Sequence, residues 1–231
     1  MADENQGLYQ VNTPCTLGHP NLLEPSAFKD PKTKKAKGDP TYSGIFVFKN
    51  GHPDLPGLKT KILEAAKAKW PDKNIVEEAK AGNIKMPFAN GDKLADKRVA
   101  KLKAAGKEDD HRGDFQRGGT VFRASSKFPP GLGVVSNKAI VDITDENKAL
   151  HKGAFYFGTD CFVSFTFKAY DAINEDAKAG VKAYLTMVVS LNRGKKLSSQ
   201  RSSAEAFKGV AGLASMEDPT GGSELDDEIP F

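Results

Sequence analysis

Apolar residues recur along this chain with two different periods. Tyr42 to Lys49 (YSGIFVFK) and Gly119 to Ser125 (GTVFRAS) are rich in β-branched and aromatic residues and are bounded by turn signals. Such runs predict strands. Thr13 to Leu17, Val134 to Ile143, Phe155 to Tyr170 and Val181 to Arg193 read the same way. In the middle the period lengthens. Leu58, Ile62, Leu63, Ala66 and Trp70 lie on one face of a helix that Pro71 stops. Ile75 to Ala81 and Asp92 to Ala105 predict two more helices, ended by Gly82 and Gly106. Strands with helices segregated to one insertion predict a mainly β chain, a five- to six-stranded closed or partly open barrel.

Strand parity sorts the strongest segment. Odd positions from Phe155 to Ala169 are core material, including Phe157, Cys161, Val163, Phe165 and Phe167. Even positions carry Tyr156, Phe162, Lys168 and Tyr170 among polar residues. In the partner run, Val181, Ala183, Leu185, Met187, Val189 and Leu191 share the apolar parity. Lys182, Tyr184 and Thr186 take the other, with Arg193, Lys195 and Lys196 at the exit. On the earlier strand Ile45 and Val47 are expected in the core, with Tyr42, Phe46 and Phe48 facing out. Arg123, Lys127 and Phe128 extend the set. Flat rings spaced along a sheet and rimmed by cations are what unstacked bases and phosphates require. The competing expectation is that these aromatics pack beneath the helical insertion.

Charge sharpens this picture. The net charge is +4, but all 34 Lys and Arg residues lie in residues 1–216, against 24 acidic ones. Residues 217–231 hold six acids and no base. A basic body attracts polyanions, and an acidic appendage competes for the same surface. The expected organisation is a flexible arm over 1–12, a folded domain over 13–210 with its helical insertion at about 57–106, and a disordered acidic tail over 211–231. The start lacks the charge and apolar core of a secretory signal, and no apolar run is long enough to span a bilayer, so a cytoplasmic location is expected.

Enzymatic motifs are sparse. There is no phosphate-binding Gly-rich loop, Rossmann glycine pattern or nucleophile elbow. Asp109, Asp110, His111 and Asp114 are the best local carboxylate group, in a polar turn where metal binding is not expected. His19, His52 and His151 read as loop residues. Cys15 and Cys161 belong to no metal-ligand cluster and are expected as buried thiols. No catalytic residue, metal or cofactor is expected.

The last residues, Asp226-Asp227-Glu228-Ile229-Pro230-Phe231, combine acids with an apolar end, which suits a tethered peptide ligand. This segment resembles the acidic tip of bacterial single-stranded DNA-binding proteins, which docks replication and repair enzymes. The body resembles bacteriophage single-stranded DNA-binding proteins of the gene-2.5 type through Tyr42-Ser43-Gly44, Gly153 to Val163, Tyr170 and Gly180 to Asn192. That resemblance implies an OB-fold and sequence-independent binding of single-stranded DNA in phage replication, recombination and repair, inside an infected bacterial cell. It also implies partners, namely phage or host replication proteins (polymerase, primase-helicase) reached through the tail, and admits a homodimer. The other function classes the sequence allows are a single-strand annealing recombinase and a DNA-processing enzyme.

Overall fold

The computed structural model describes residues 8–29, 33, 36–108, 111, 113–172 and 177–197. The predicted helix after Ser198 and the acidic tail, Asp226 to Phe231 included, lie outside the described residues. In chain order the elements are β1 (Leu8–Gln10), β2 (Cys15–Lys29), β3 (Ala36–Lys49), α1 (Leu55–Lys69), α2 (Ile75–Lys80), β4 (Ile84–Lys85), β5 (Phe88–Asn90), α3 (Gly91–Ala104), β6 (Gly119–Ser126), β7 (Gly131–Ser136), β8 (Ala139–Asp142), α4 (Lys148–His151), β9 (Asp160–Tyr170) and β10 (Ala179–Ser190).

Five long strands close on themselves. β2 pairs with β3, β3 with β6, β6 with β10, β10 with β9, and β9 returns to β2. All these pairings are antiparallel except β6 with β10. Counted in chain order among themselves, these five strands run first-second-third-fifth-fourth and back to the first, with one parallel seam, which is an OB-fold barrel. That seam is a single bridge, Ala183 with Ala124. β7 and β8 extend the sheet from β10, and β1 adds to β9.

The barrel interior is aromatic. Phe46, Phe48, Phe122 and Phe165 are fully buried. Phe46 meets Phe165 edge-on at 5.3 Å, and Phe48 meets Phe122 edge-on at 5.0 Å, the arrangement ring quadrupoles favour. Helix α1 adds Leu55, Leu58, Ile62 and Ala66 to this core, together with Trp70 just beyond its end. Both of its ends are tied to the barrel. The buried Asp54 carboxylate accepts from Asn12 N–H, Thr13 N–H (2.9 Å) and Tyr9 Oη. At the far end Trp70 Nε1–H donates to Asp171, which Lys69 also holds at 2.7 Å.

Four local expectations need correction. Leu8–Gln10, expected in the loose arm, pairs with β9 through Tyr9 and Phe165. Phe155 to Thr159 is not strand, because a turn with φ +101° at Gly158 intervenes before β9 starts at Asp160. The parity of β10 reverses at a bulge between Leu185 and Met187. Met187, expected inside, is therefore 47% exposed, and Val188 is buried in its place. Lastly, two histidines read as loop residues are not: His19 lies within β2, with φ +47°, and His151 is the last residue of α4.

Cys15 and Cys161 face each other across β2 and β9 as buried free thiols, with Sγ atoms 3.9 Å apart. Burial pushes the Cys15 thiol pKa well up.

Candidate nucleic-acid interface

Register alone places a row of cations on the outside of the barrel. Lys168 on β9 is paired with Lys182 on β10. The bridge of Ala183 with Ala124 sets Lys182 beside Arg123 on the face opposite to these inward alanines. Arg123 is paired in turn with Ile45, and Ile45 with Gly18. The neighbouring row runs Thr166, Tyr184, Ser125, Ser43 and Asn21 by the same registers. Between β2, β3 and β6 this face dips into an open groove of about 380 Å³, lined by His19, Asn21, Ser43, Ile45, Arg123 and Ser125.

Two tyrosines offer ring faces beside these cations. Tyr184 is 37% exposed, with Lys182 Nζ 4.8 Å and Lys168 Nζ 6.0 Å from its ring centre. Tyr170 is 38% exposed and lies across Gly180, where a Cβ would come within 2.7 Å of the Tyr170 hydroxyl. Phe162, half-buried, shares their face by strand alternation.

A family model described as Enterobacter phage Enc34, ssDNA-binding protein matches residues 15–219. The chain belongs to this family of phage single-stranded DNA-binding proteins. It is a DNA-binding protein and not an enzyme, as the sequence predicts. The single-stranded DNA-binding protein from bacteriophage Enc34 in complex with ssDNA matches it in structure with a TM-score of 0.53 at 14% identity, over 84% of this chain and 90% of that one. A second structure of the Enc34 protein gives 0.51 at 16% identity, over 87% and 90%. At such identities the likeness shows the shared fold. No curated protein matches the chain.

Other predicted residues of this Enc34-family protein fall at the ends of the band. Phe128, 78% exposed, stands just past β6. Its neighbour Lys127 is held by Asp39 at 2.6 Å, a contact that keeps the Asp39 carboxyl below the usual range. Arg193, Lys195 and Lys196 are exposed on a segment laid along the 156–160 turn. Arg193 C=O accepts from Asp160 N–H at 2.7 Å, and Leu197 N–H donates to Phe157 C=O at 2.8 Å. Tyr156 belongs to that turn and not to the β9 face. Its hydroxyl donates to Gly194 C=O at 3.1 Å.

Two predicted contacts are overturned. Phe46 and Phe48 are sealed in the core and present no ring to a ligand. Their strand was ambiguous because both parities are apolar. Inward Gly44 and Ala124, paired with each other, leave interior room for the Phe46 ring. Ile45 takes the outward side instead, half-buried, while Val47 is buried where α3 and the 114–116 turn pack against β6. Tyr42 shares the parity of Phe46 and is half-buried midway along β3.

Sequence reasoning missed an aromatic trio beside the groove. The His19 ring stacks on Phe157 at 4.8 Å, and Phe115 meets Phe157 edge-on at 4.7 Å. These residues come from β2 and two turns, so no local period links them. Of the carboxylate group weighed for metal, Asp109 and Asp110 lie outside the described residues. Asp114 is engaged by His111 at 3.1 Å and Arg117 at 3.2 Å. Among the described residues no group of three or more metal-ligating side chains occurs, and no helix is long and apolar enough to cross a membrane.

Proposed function

We propose that single-stranded DNA lies along the outward band, its bases stacked on Tyr184, Tyr170, Phe162 and Phe128. Its phosphates are neutralised by Arg123, Lys168 and Lys182, with Lys127, Arg193, Lys195 and Lys196 at the margins. The observation that carries this reading is the row Lys168–Lys182–Arg123 across three adjacent strands with the Tyr184 ring set among it. Rings and cations at that spacing serve any base sequence, because every base has a π-face and every nucleotide a phosphate. Binding is therefore sequence-independent and falls steeply with salt. Such a protein serves replication, recombination and repair in the phage's bacterial host.

The acidic segment 217–231 has two roles in this reading. Its six carboxylates compete with DNA for the cationic band. Once displaced, Asp226 to Phe231 recruits replication proteins by acids and an apolar anchor.

A salt-titrated competition between single-stranded DNA, duplex DNA and RNA tests the first claim, and equal affinity for duplex and single strand overturns it. Deleting residues 217–231 tests the second. The deletion is expected to tighten DNA binding at low salt and abolish partner capture, and unchanged affinity refutes self-competition.

A further inference from the structure

The helical insertion carries an apolar groove that shares no residue with the DNA band. Two helices shape it in the same way. Lys59, Ile62 and Leu63 stand at i, i+3 and i+4 on α1. Val76, Ala79 and Lys80 repeat that spacing on α2. Each helix therefore turns two apolar side chains and one lysine to a single side. Ile84, Met86 and Phe88 line the groove from β4, β5 and the link between them, and Lys93 lines it from the first turn of α3. The space is about 560 Å³, within the roughly 300–1,000 Å³ of ligand-binding pockets.

Its charge is of one sign. Val76 is 46% exposed, and Leu63, Met86 and Phe88 are only half-buried against the core. No lining residue is acidic. Lys59 and Lys93 have no carboxylate partner among the described residues. Lys80 has only the exposed Glu77, one turn back at 2.9 Å, a pair of small worth. The fitting occupant is apolar at one end and anionic beside it. Residues 226–231 have that order: Asp226, Asp227 and Glu228, then Ile229, Pro230 and Phe231. Three acids thus meet three lysines, and Pro230 limits the conformational freedom lost on docking. The folded unit ends at Leu197. Residues 198–231 reach up to about 110 Å when extended, well beyond the ~40 Å breadth of a domain of this size.

We infer that the insertion groove is the seat of the chain's own C-terminal tip. Ile229 and Phe231 enter the apolar floor, and Asp226 to Glu228 meet Lys59, Lys80 and Lys93 at the rim. A seated tip is withheld from replication proteins, so the groove sets how readily the tail recruits them. The inference rests on the reading of the tip as a peptide ligand. It does not rest on self-competition at the DNA band, which involves other residues of the folded unit.

Photo-crosslinking of the full chain, with p-benzoylphenylalanine in place of Phe231, tests this. The expected product is a crosslink within one chain to Leu63, Val76, Met86 or Phe88, located by peptide mass spectrometry. Lys59→Glu combined with Lys93→Glu should cut its yield about tenfold or more, by setting acids against acids. Lys59→Arg combined with Lys93→Arg should keep it. Both lysines are exposed, so thermal unfolding should hardly move in either variant. Crosslinks confined to the DNA band overturn the inference. So do crosslinks that only join two copies, or a yield indifferent to the charge reversal. DNA affinity left unchanged by deleting residues 217–231 refutes self-competition while a groove crosslink still stands, so the two claims fail separately.

Discussion

The ammonium of Lys182 sits 4.8 Å from the centre of the Tyr184 ring, two residues along the same strand face. Lys168 approaches that ring from the neighbouring strand. The side chains are held by sheet register and not by a loop, so the ring is presented in one orientation. Replacing Tyr184 by Ala is expected to weaken single-stranded DNA binding about 5- to 150-fold, the loss of one stacked base at ~1–3 kcal/mol. Tyr184→Phe should bind nearly as the parent does. Fluorescence anisotropy with a labelled oligonucleotide checks both, alongside thermal unfolding that should hardly change at this surface position.

Arg123 occupies the middle of the cationic row. Arg123→Gln should lower affinity for all sequences alike and flatten the salt dependence. For single strands the slope of log K against log salt changes by about 0.7 per phosphate contact. The slope of the variant, measured from low to moderate salt, should differ from the parent by about that amount. An unchanged slope would place Arg123 outside the path of the strand.

Phe46 separates core from site. It is fully buried against Phe165, so Phe46→Ala should destabilise the fold by about 3–5 kcal/mol. Once corrected for the folded fraction, DNA affinity should match the parent. Urea unfolding with parallel binding measurements tests this, and a stable variant that fails to bind would contradict it.

Asp171 ties the end of α1 to the barrel and carries a pH signature. Hydrogen bonds from Lys69 and then Trp70 hold its carboxyl below the ordinary range. A carboxyl lowered on folding stabilises the protein above its unfolded pKa, about 4. That contribution is lost as pH falls through the folded value. Asp171 is solvent-exposed, so the effect is small. The urea midpoint of the parent should fall on acidification through this window by more than that of Asp171→Asn.

Much of the architecture was legible along the chain. Period 3.6 from Leu58 to Trp70, stopped by Pro71, marked α1, and Gly106 marked the end of the insertion. Alternation from Cys161 to Tyr170 sorted β9 correctly, because its even side opens to solvent at Phe162, Thr166, Lys168 and Tyr170, with only Ser164 buried there. Where both sides are covered the rule lost its grip. Phe46 and Val47 are both buried, since α3 and the 114–116 turn pack against β6 where Val47 pairs with it, while the barrel fills the inner side. The bulge after Leu185 was invisible too, because an extra residue leaves no compositional mark in Val-Val-Ser.

The sequence by itself determined a basic β body with an acidic end, a helical insertion, and aromatics alternating with cations on one late strand pair. These are local properties, carried by residue type and spacing. Which rings point outward, and that Lys168, Lys182 and Arg123 form one row, only the tertiary structure decided. Register between β6 and β10 rests on a single parallel bridge between segments almost sixty residues apart, and long-range pairing of that kind follows from how the whole core packs.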